Sequence, residues 1–335
     1  MLIRDMLEER EKKNLSPYAS LSGETKGRKT KEKECNIRTA FQRDRDKIIH
    51  SKAFRRLKHK TQVFISPIED HYRTRLTHTL EVAQIARTIS RALKLNEDLT
   101  EAIALGHDLG HTPFGHCGED VLNDILKHYH RHFKHNEQSI RVVEALEKDG
   151  KGLNLCFEVL DGIKNHPQKE PLPSTLEGIV TRMSDRIAYI RHDIEDALRA
   201  NIIKANDLPK KEMKSLGKNI LDTIIFDIIE ESKDKAEIKM SKKIKKVMDS
   251  LYDFLYDRVY TNITAKREES KIPTLLRLLF RHYLYNPQNL PYYKKSWGNE
   301  ETLTRTTDFI AGMTDRYAIN KFNEIFTPSE WRQAY

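Results

Sequence analysis

Apolar residues recur at helical spacing along most of this chain, and almost nowhere do they alternate with polar ones as a half-buried strand requires. From Arg73 the run RTRLTHTLEVAQIARTISRAL sets Leu76, Leu80, Ala83, Ile85, Ala86, Ile89 and Leu93 near one face of a long helix. Another helical run, LTEAIALGHDLGH, ends in Gly106, His107, Asp108, Leu109, Gly110 and His111, where the glycines let the backbone turn closely. The run STLEGIVTRMSDRIAYIRHDIEDALRA starts at Ser174 or Thr175, either of which can cap it, and carries Ile179, Met183, Ile187, Ile190, Ile194 and Leu198 as its apolar face. TLLRLLFRHYLYN at 274–286 and DFIAGMTDRYAINKFNEIF read as further helices, and KDKAEIKMSKKIKKVMDS at 233–250 as an amphipathic surface helix. The expected fold class is all-α.

Polar residues interrupt these faces at chemically informative places. His78 sits early on its helix beside the buried stripe, and His107 and Asp108 sit near a helix terminus, where neighbouring side chains converge more easily than in mid-helix. Asp185, Tyr189 and Asp193 make a second stripe at four-residue steps. An unpaired carboxylate beside an apolar face is costly, and a metal ion offsets that cost. Two imidazoles and two carboxylates, with no cysteine among them, suit a borderline-to-hard divalent ion and predict a hydrolytic metal site. Taken singly, a histidine on an amphipathic helix is usually a hydrogen-bonded core residue, and an HD dipeptide arises by chance in a chain with 14 histidines. The combination carries the reading.

Composition narrows the setting. A length of 335 residues suggests about two domains at roughly 150 residues each, although helices can share one core. No apolar run approaches the roughly 18 residues of a membrane span, and the opening MLIRDMLEEREKK is too charged for a secretory signal. Cys35, Cys117 and Cys156 are odd in number and lack paired spacing, as expected of reduced thiols in a cytoplasmic protein. Residues 1–60 hold 18 Lys and Arg against 9 Asp and Glu, a surplus equal to the net charge of +9 on the whole chain. The stretch SLSGETKGRKTKEKE reads as a flexible, solvated loop. Such charge can attract nucleotides or single-stranded nucleic acid by counterion release, with ordinary solvated surface as the plainer reading.

Together the motifs resemble the HD-domain metal-dependent phosphohydrolases, and within them the bacterial dGTPase-like deoxynucleoside triphosphate triphosphohydrolases. The resemblance runs from IRTAFQRDRDKIIHSKAFRRLKHKTQVF at 37–64 through RTRLTHTLEVAQIARTI, GHDLGHTPFGHCGE, FKHNEQS and GLNL to SDRIAYIRHDIEDAL, and resumes at DFIAGMTDRYA, 308–318. It implies a basic flexible N-terminal segment (1–35), a phosphohydrolase core (36–200) and a C-terminal helical part packed on the core (201–335).

The reaction implied by the resemblance is hydrolysis of a dNTP at the α-phosphorus to a deoxynucleoside and inorganic triphosphate. His78, His107, Asp108 and Asp185 match the family's metal ligands, for Mn or Mg first and for Co, Ni, Fe or Zn as well. His116 and Glu119 match the pair beside the scissile bond, and His135 resembles the histidine that protonates the leaving oxygen; which of His116 and His135 is the acid stays open. Arg75 and His111 match phosphate-side residues, Gln62 a contact to the 3′-hydroxyl, and Tyr189 and Asp193 the deoxyribose pocket. Arg38, Arg43, Arg55, Arg56 and Lys164 are further phosphate candidates, as is Arg316. Family members are commonly homo-oligomers, often hexamers. Competing readings are another HD-type nucleotide phosphohydrolase, or a nucleotide-sensing or nucleic-acid-binding regulator.

Overall fold

The computed structural model describes residues 1–62, 73–261 and 268–328. Among them the regular structure is helical, with no strand and two isolated bridges, Arg28 with Cys156 and Thr61 with Thr74. Val63 and Phe64, which end the first stretch of resemblance, lie outside the described residues.

Several helices begin where the sequence supplies a cap. After α1 (Ile3–Asn14) come α2 (Ala40–Ile49), opened by the Thr39 hydroxyl, and α3 (Lys52–Arg56), opened by Ser51. Thr74 caps α4 (Arg75–Ala92) and Asn96 caps α5 (Glu97–Gly106). Then follow α6 (Gly115–Lys127), α7 (His135–Arg141) and α8 (Phe157–Lys164). Of the two candidate caps for α9 (Leu176–Arg199), Thr175 does the work, while Ser174 turns to Asp161.

α4 lies along α9 and α5, and α5 also packs on α2 and α8. Phe41, Ile85, Ile89, Leu99, Ile103, Val159 and Ile187 close the core between them, each at most 2% exposed. Burial of each such side chain contributes about 1.5–3 kcal/mol. This packing holds His78 on α4, His107 at the end of α5 and Asp185 on α9 around one point.

The C-terminal helices divide between two apolar clusters. α10 (Lys210–Leu216), α11 (Ile220–Ser232) and α12 (Lys242–Leu255) extend the first, through Ile224, Ile228, Met248 and Leu251. α13 (Ile272–Tyr285), α14 (Asn299–Ala311) and α15 (Asp315–Phe326) make the second, closed by Val121, Leu122 and Leu126 of α6 against Leu276, Phe280 and Ile310. The helix carrying His116 and Glu119 is thus held by the C-terminal cluster.

Three details differ from the sequence reading. Leu80 is 51% exposed, because it lies two residues, about 200° of helix rotation, from the buried Val82. The lysine-rich run is helical only from Lys242, where the Ser241 hydroxyl caps it, although Ile244, Val247 and Met248 are buried as the pattern implies. The basic stretch expected to be a free loop is tied down. Ser20 donates to Glu177 from its backbone (2.9 Å) and hydroxyl (3.1 Å), Thr25 and Lys26 donate to Glu158 (2.6 and 2.7 Å), and Arg28 reaches Asp44 and the Asn154 carbonyl (2.7 Å). The three acids are buried, and the segment supplies the donors they need. Local composition does not reveal acceptors so distant in sequence.

Among the described residues no helix is long and apolar enough to cross a membrane, and no two of the three cysteines are joined in a disulfide.

Candidate active site

His78 Nε2 stands 3.0 Å from Asp185 Oδ1, and His107 Nε2 stands 3.8 Å from that oxygen and 3.5 Å from Asp108 Oδ1. The four side chains therefore meet at one place. Their hydrogen-bond partners fix which nitrogens face it. His107 Nδ1 lies 2.6 Å from the Ala104 carbonyl, which can only accept, so Nδ1 carries the hydrogen and Nε2 presents a lone pair. That Nε2 is buried and has no hydrogen-bond partner. His78 Nδ1 meets His192 Nε2 at 2.9 Å, and the other nitrogen of His192 closely approaches Asp193 Oδ1 at 2.7 Å. His192 Nδ1 and Asp193 Oδ1 lie close without a hydrogen bond between them; where His192 Nε2 accepts from His78 Nδ1, His78 turns a bare Nε2 to Asp185. Lone pairs facing carboxylate oxygens in a buried pocket repel one another unless a cation stands between them. The donor set fits a divalent metal.

Electrostatics hold the acids ionised. Burial alone would raise the Asp108 carboxyl, but His107, then Arg75, His111 and His78, hold it well below the usual carboxylate range. Burial is likewise overridden at Asp185 by His78, 3.0 Å away, and then by the field of His107, with the same downward result. Desolvation lowers His78, which favours the neutral ring a metal needs.

Beside this cluster, Glu119 on α6 gathers two more histidines. Its carboxylate lies 2.9 Å from His116 Nδ1, and 2.9 and 3.0 Å from His135 Nδ1. Against the effect of burial, these two contacts push Glu119 far down and keep it ionised. The His116 side chain is 73% exposed, so its ring stands at the mouth, whereas His135 turns Nε2 inward. His111 is buried, stacks on His135 at 4.5 Å between ring centroids, and leaves Nδ1 unpartnered.

Arg75 is the buried cation of the site. Nη1 donates to Asp108 Oδ2 at 2.6 Å, while Nε and Nη2 are buried without partners. Gly115, at φ +59°, makes room for it, since a side chain there would come within 3.2 Å of Arg75 Nη2. The Oε1 of Gln62 is also buried without a partner. Tyr189 is half-buried and meets Tyr252 edge-on at 6.1 Å. Asp193 is buried and accepts from the Tyr260 hydroxyl. Lys164 does not join the cluster: it is exposed, its carbonyl accepts from Asn136, and its charge is felt by Glu170. Arg38, Arg43, Arg55 and Arg56 are engaged by Asp46, the Lys33 carbonyl, the His50 carbonyl and the Gly312 carbonyl. Arg316 is exposed.

The sequence reading missed four residues. His166 is buried in the middle of the site, 5.0 Å from the His107 ring and with Nε2 3.2 Å from His135 Nε2. His192 supports His78. Lys60 is fully buried and donates to the carbonyls of His111 and Ala311 (3.0 Å to the latter). Asp315, in the matched DFIAGMTDRYA segment next to Arg316, accepts from the backbone N–H groups of Thr61 and Phe114, both at 2.9 Å, and from the Thr61 hydroxyl. It ties the Lys60–Gln62 strip to the loop before α6. Its place inside a matched segment was the available signal.

A model of the HD domain matches residues 75–268, and one of the phosphohydrolase-associated domain matches residues 238–324. A protein of Caldanaerobacter subterraneus subsp. tengcongensis named deoxyguanosinetriphosphate triphosphohydrolase-like protein is 57% identical, over 99% of this chain and 98% of its own length. Relatives with the same name from Clostridium perfringens, 48% identical over 98% of each chain, and Desulfatibacillum aliphaticivorans, 47% identical over 98% of this chain and 99% of its own, also match. With its buried His–Asp cluster and end-to-end likeness to these relatives, the chain belongs to the HD-domain phosphohydrolases, in the deoxyguanosinetriphosphate triphosphohydrolase-like family.

Proposed function

We propose that this protein hydrolyses deoxynucleoside triphosphates at the α-phosphorus, releasing the deoxynucleoside and intact inorganic triphosphate. The observation that carries the reading is Arg75: a buried guanidinium with two donors unspent, beside a metal-type donor set, is built to receive an anionic oxygen next to a cation. His78, His107, Asp108 and Asp185 would hold a divalent ion that supplies Lewis acidity at the α-phosphate and lowers the pKa of water.

The remaining steps are assigned to this chain's own groups. Arg75 and His111 bind the phosphate oxygens. Gln62 offers its free Oε1 to the sugar 3′-hydroxyl. Tyr189 packs under the deoxyribose, where a 2′-hydroxyl would collide, and Asp193, held by the Tyr260 hydroxyl, lines the same pocket. Glu119 holds the Nδ1 hydrogen of His116, whose Nε2 at the exposed mouth hands a proton to the departing 5′-oxygen. His135, on the same carboxylate, is turned inward and serves the interior of the site.

Hydrolysis in water enriched in oxygen-18 tests the bond cleaved. The label is expected in the triphosphate and not in the nucleoside. Label on the nucleoside 5′-oxygen, or release of monophosphate and pyrophosphate, would overturn the proposal.

A further inference from the structure

Tyr189 is the inner member of a row of tyrosines. It lies one helical turn beyond Asp185 on α9, half-buried, and its ring meets that of Tyr252 on α12 at 6.1 Å between centroids and 77° between planes. Tyr252 in turn meets Tyr256, one turn further along the chain, at 6.4 Å and 35°. Exposure climbs outward, from the half-buried Tyr189 to Tyr252 at 37% and Tyr256 at 53%. Tyr260, the next residue at this spacing, spends its hydroxyl on the buried Asp193. The row thus leads from the metal-type cluster, past Tyr189, to solvent.

Single exposed aromatics are ordinary on a protein surface. Two adjoining rings continuous with a candidate sugar pocket are a different case, because their apolar area is left uncovered where a ligand would end. The neighbours indicate what that end would be. Arg186, three residues before Tyr189, donates from Nη2 to Asp249 Oδ1 at 2.5 Å, and the Asp249 side chain, three residues before Tyr252, is 48% exposed. A phosphate tail laid over the tyrosines would meet that carboxylate beside a cation already engaged. The guanidinium with unspent donors is that of Arg75, on Asp108, away from this row. A flat, uncharged group suits the rings better than an anion does.

We propose that Tyr252 and Tyr256 form the nucleobase shelf of this site, with the base stacked on the Tyr252 ring and Tyr256 at its outer edge. The inference rests on the dNTP reading above and assigns the end of the substrate that reading leaves without a partner. Stacking holds a base by its face, and every base has one, so the shelf adds affinity without choosing strongly among the four.

The test separates base from sugar and phosphates. Two ligands are titrated into the full chain with Mn²⁺ by calorimetry: dGTP with its 5′-oxygen replaced by methylene, so that the bond to the α-phosphorus cannot be cleaved, and the same compound with hydrogen at C1′ in place of the base. Tyr252→Leu should weaken binding of the first by about 5- to 100-fold and leave the second unchanged. Tyr252→Phe, which keeps the ring, should restore the affinity. Tyr256→Leu, at the more exposed ring, should give a smaller loss of the same kind, and circular dichroism should show unchanged helical content in all three. Equal weakening of both ligands by Tyr252→Leu would make its role structural and overturn the shelf. Equal affinity of the unmodified protein for the two ligands, or no effect of either leucine variant, would also overturn it while leaving the dNTP reading in place. Failure of the unmodified protein to bind either ligand would overturn that reading and the shelf together.

Discussion

At the scale of single residues, Arg75 and His116 divide binding from chemistry. Arg75→Lys keeps the charge but loses the planar fork, and a hydrogen bond to a charged group contributes about 1.5–3 kcal/mol. The expected result is a fall in kcat/KM of about 10- to 100-fold for a dNTP, measured by steady-state kinetics on folded protein; unchanged kinetics would remove Arg75 from the phosphate site. His116→Gln should lower kcat by about 10²- to 10⁴-fold with little change in KM. Because that side chain is 73% exposed, the denaturation midpoint should hold. A variant with full kcat would hand the proton transfer to another group. The convergence of His78, His107, Asp108 and Asp185 was legible because each interrupts an apolar face with a group that is costly to bury there. His166 was not legible: it precedes Pro167 in a short loop after α8, with no periodic pattern to mark which way it faces. Lys164, two residues away, was singled out instead, and its side chain is exposed.

At the scale of elements, the site depends on how loops are fastened between helices. Phe114 and Gly115 both adopt left-handed backbone, at φ +62° and +59°, and for a non-glycine residue this costs about 1–2 kcal/mol. Asp315, at the start of α15, offsets that cost by accepting from Phe114 N–H and Thr61 N–H. Asp315→Ala leaves both buried donors unsatisfied, at about 1–3 kcal/mol each. The expected outcome is a loss of about 2–6 kcal/mol by urea denaturation and a matching loss of activity, because the Gln62 strip and the His116 helix are released together. A midpoint within a few tenths of a kcal/mol of the unmodified protein would show that these loops are held otherwise. Helices were readable from 3.6-residue periodicity and caps. Their partners were not: nothing local in α6 says that Val121, Leu122 and Leu126 pack on α13 and α14 rather than on the metal-bearing helices. The same limit made the strapped segment around Ser20–Arg28 look like a solvated loop.

At the scale of the whole molecule, two apolar clusters support the site, the first packing the helices of the metal-type ligands and the second the helix of His116 and Glu119. Lys60 bridges them, joining the His111 carbonyl to that of Ala311 at the end of α14. Burial, aided by Arg56, lowers its ammonium from 10.5 to about 7. Between those values the unfolded chain binds more protons than the folded one, so the Lys60 term raises stability as pH climbs from about 7 toward 10.5, and its full penalty is present below 7. Lys60→Met should flatten that rise in pH-dependent denaturation; an unchanged profile would show that Lys60 is not charged at a cost in the fold. The most direct test of the central claim is product analysis after incubating the protein with each dNTP, singly and mixed, plus Mn²⁺ or Mg²⁺, with Asp108→Ala alongside. Deoxynucleoside and intact triphosphate should form with the unmodified protein and not with the variant. Monophosphate with pyrophosphate, stepwise phosphate loss, or equal turnover by Asp108→Ala would contradict the account.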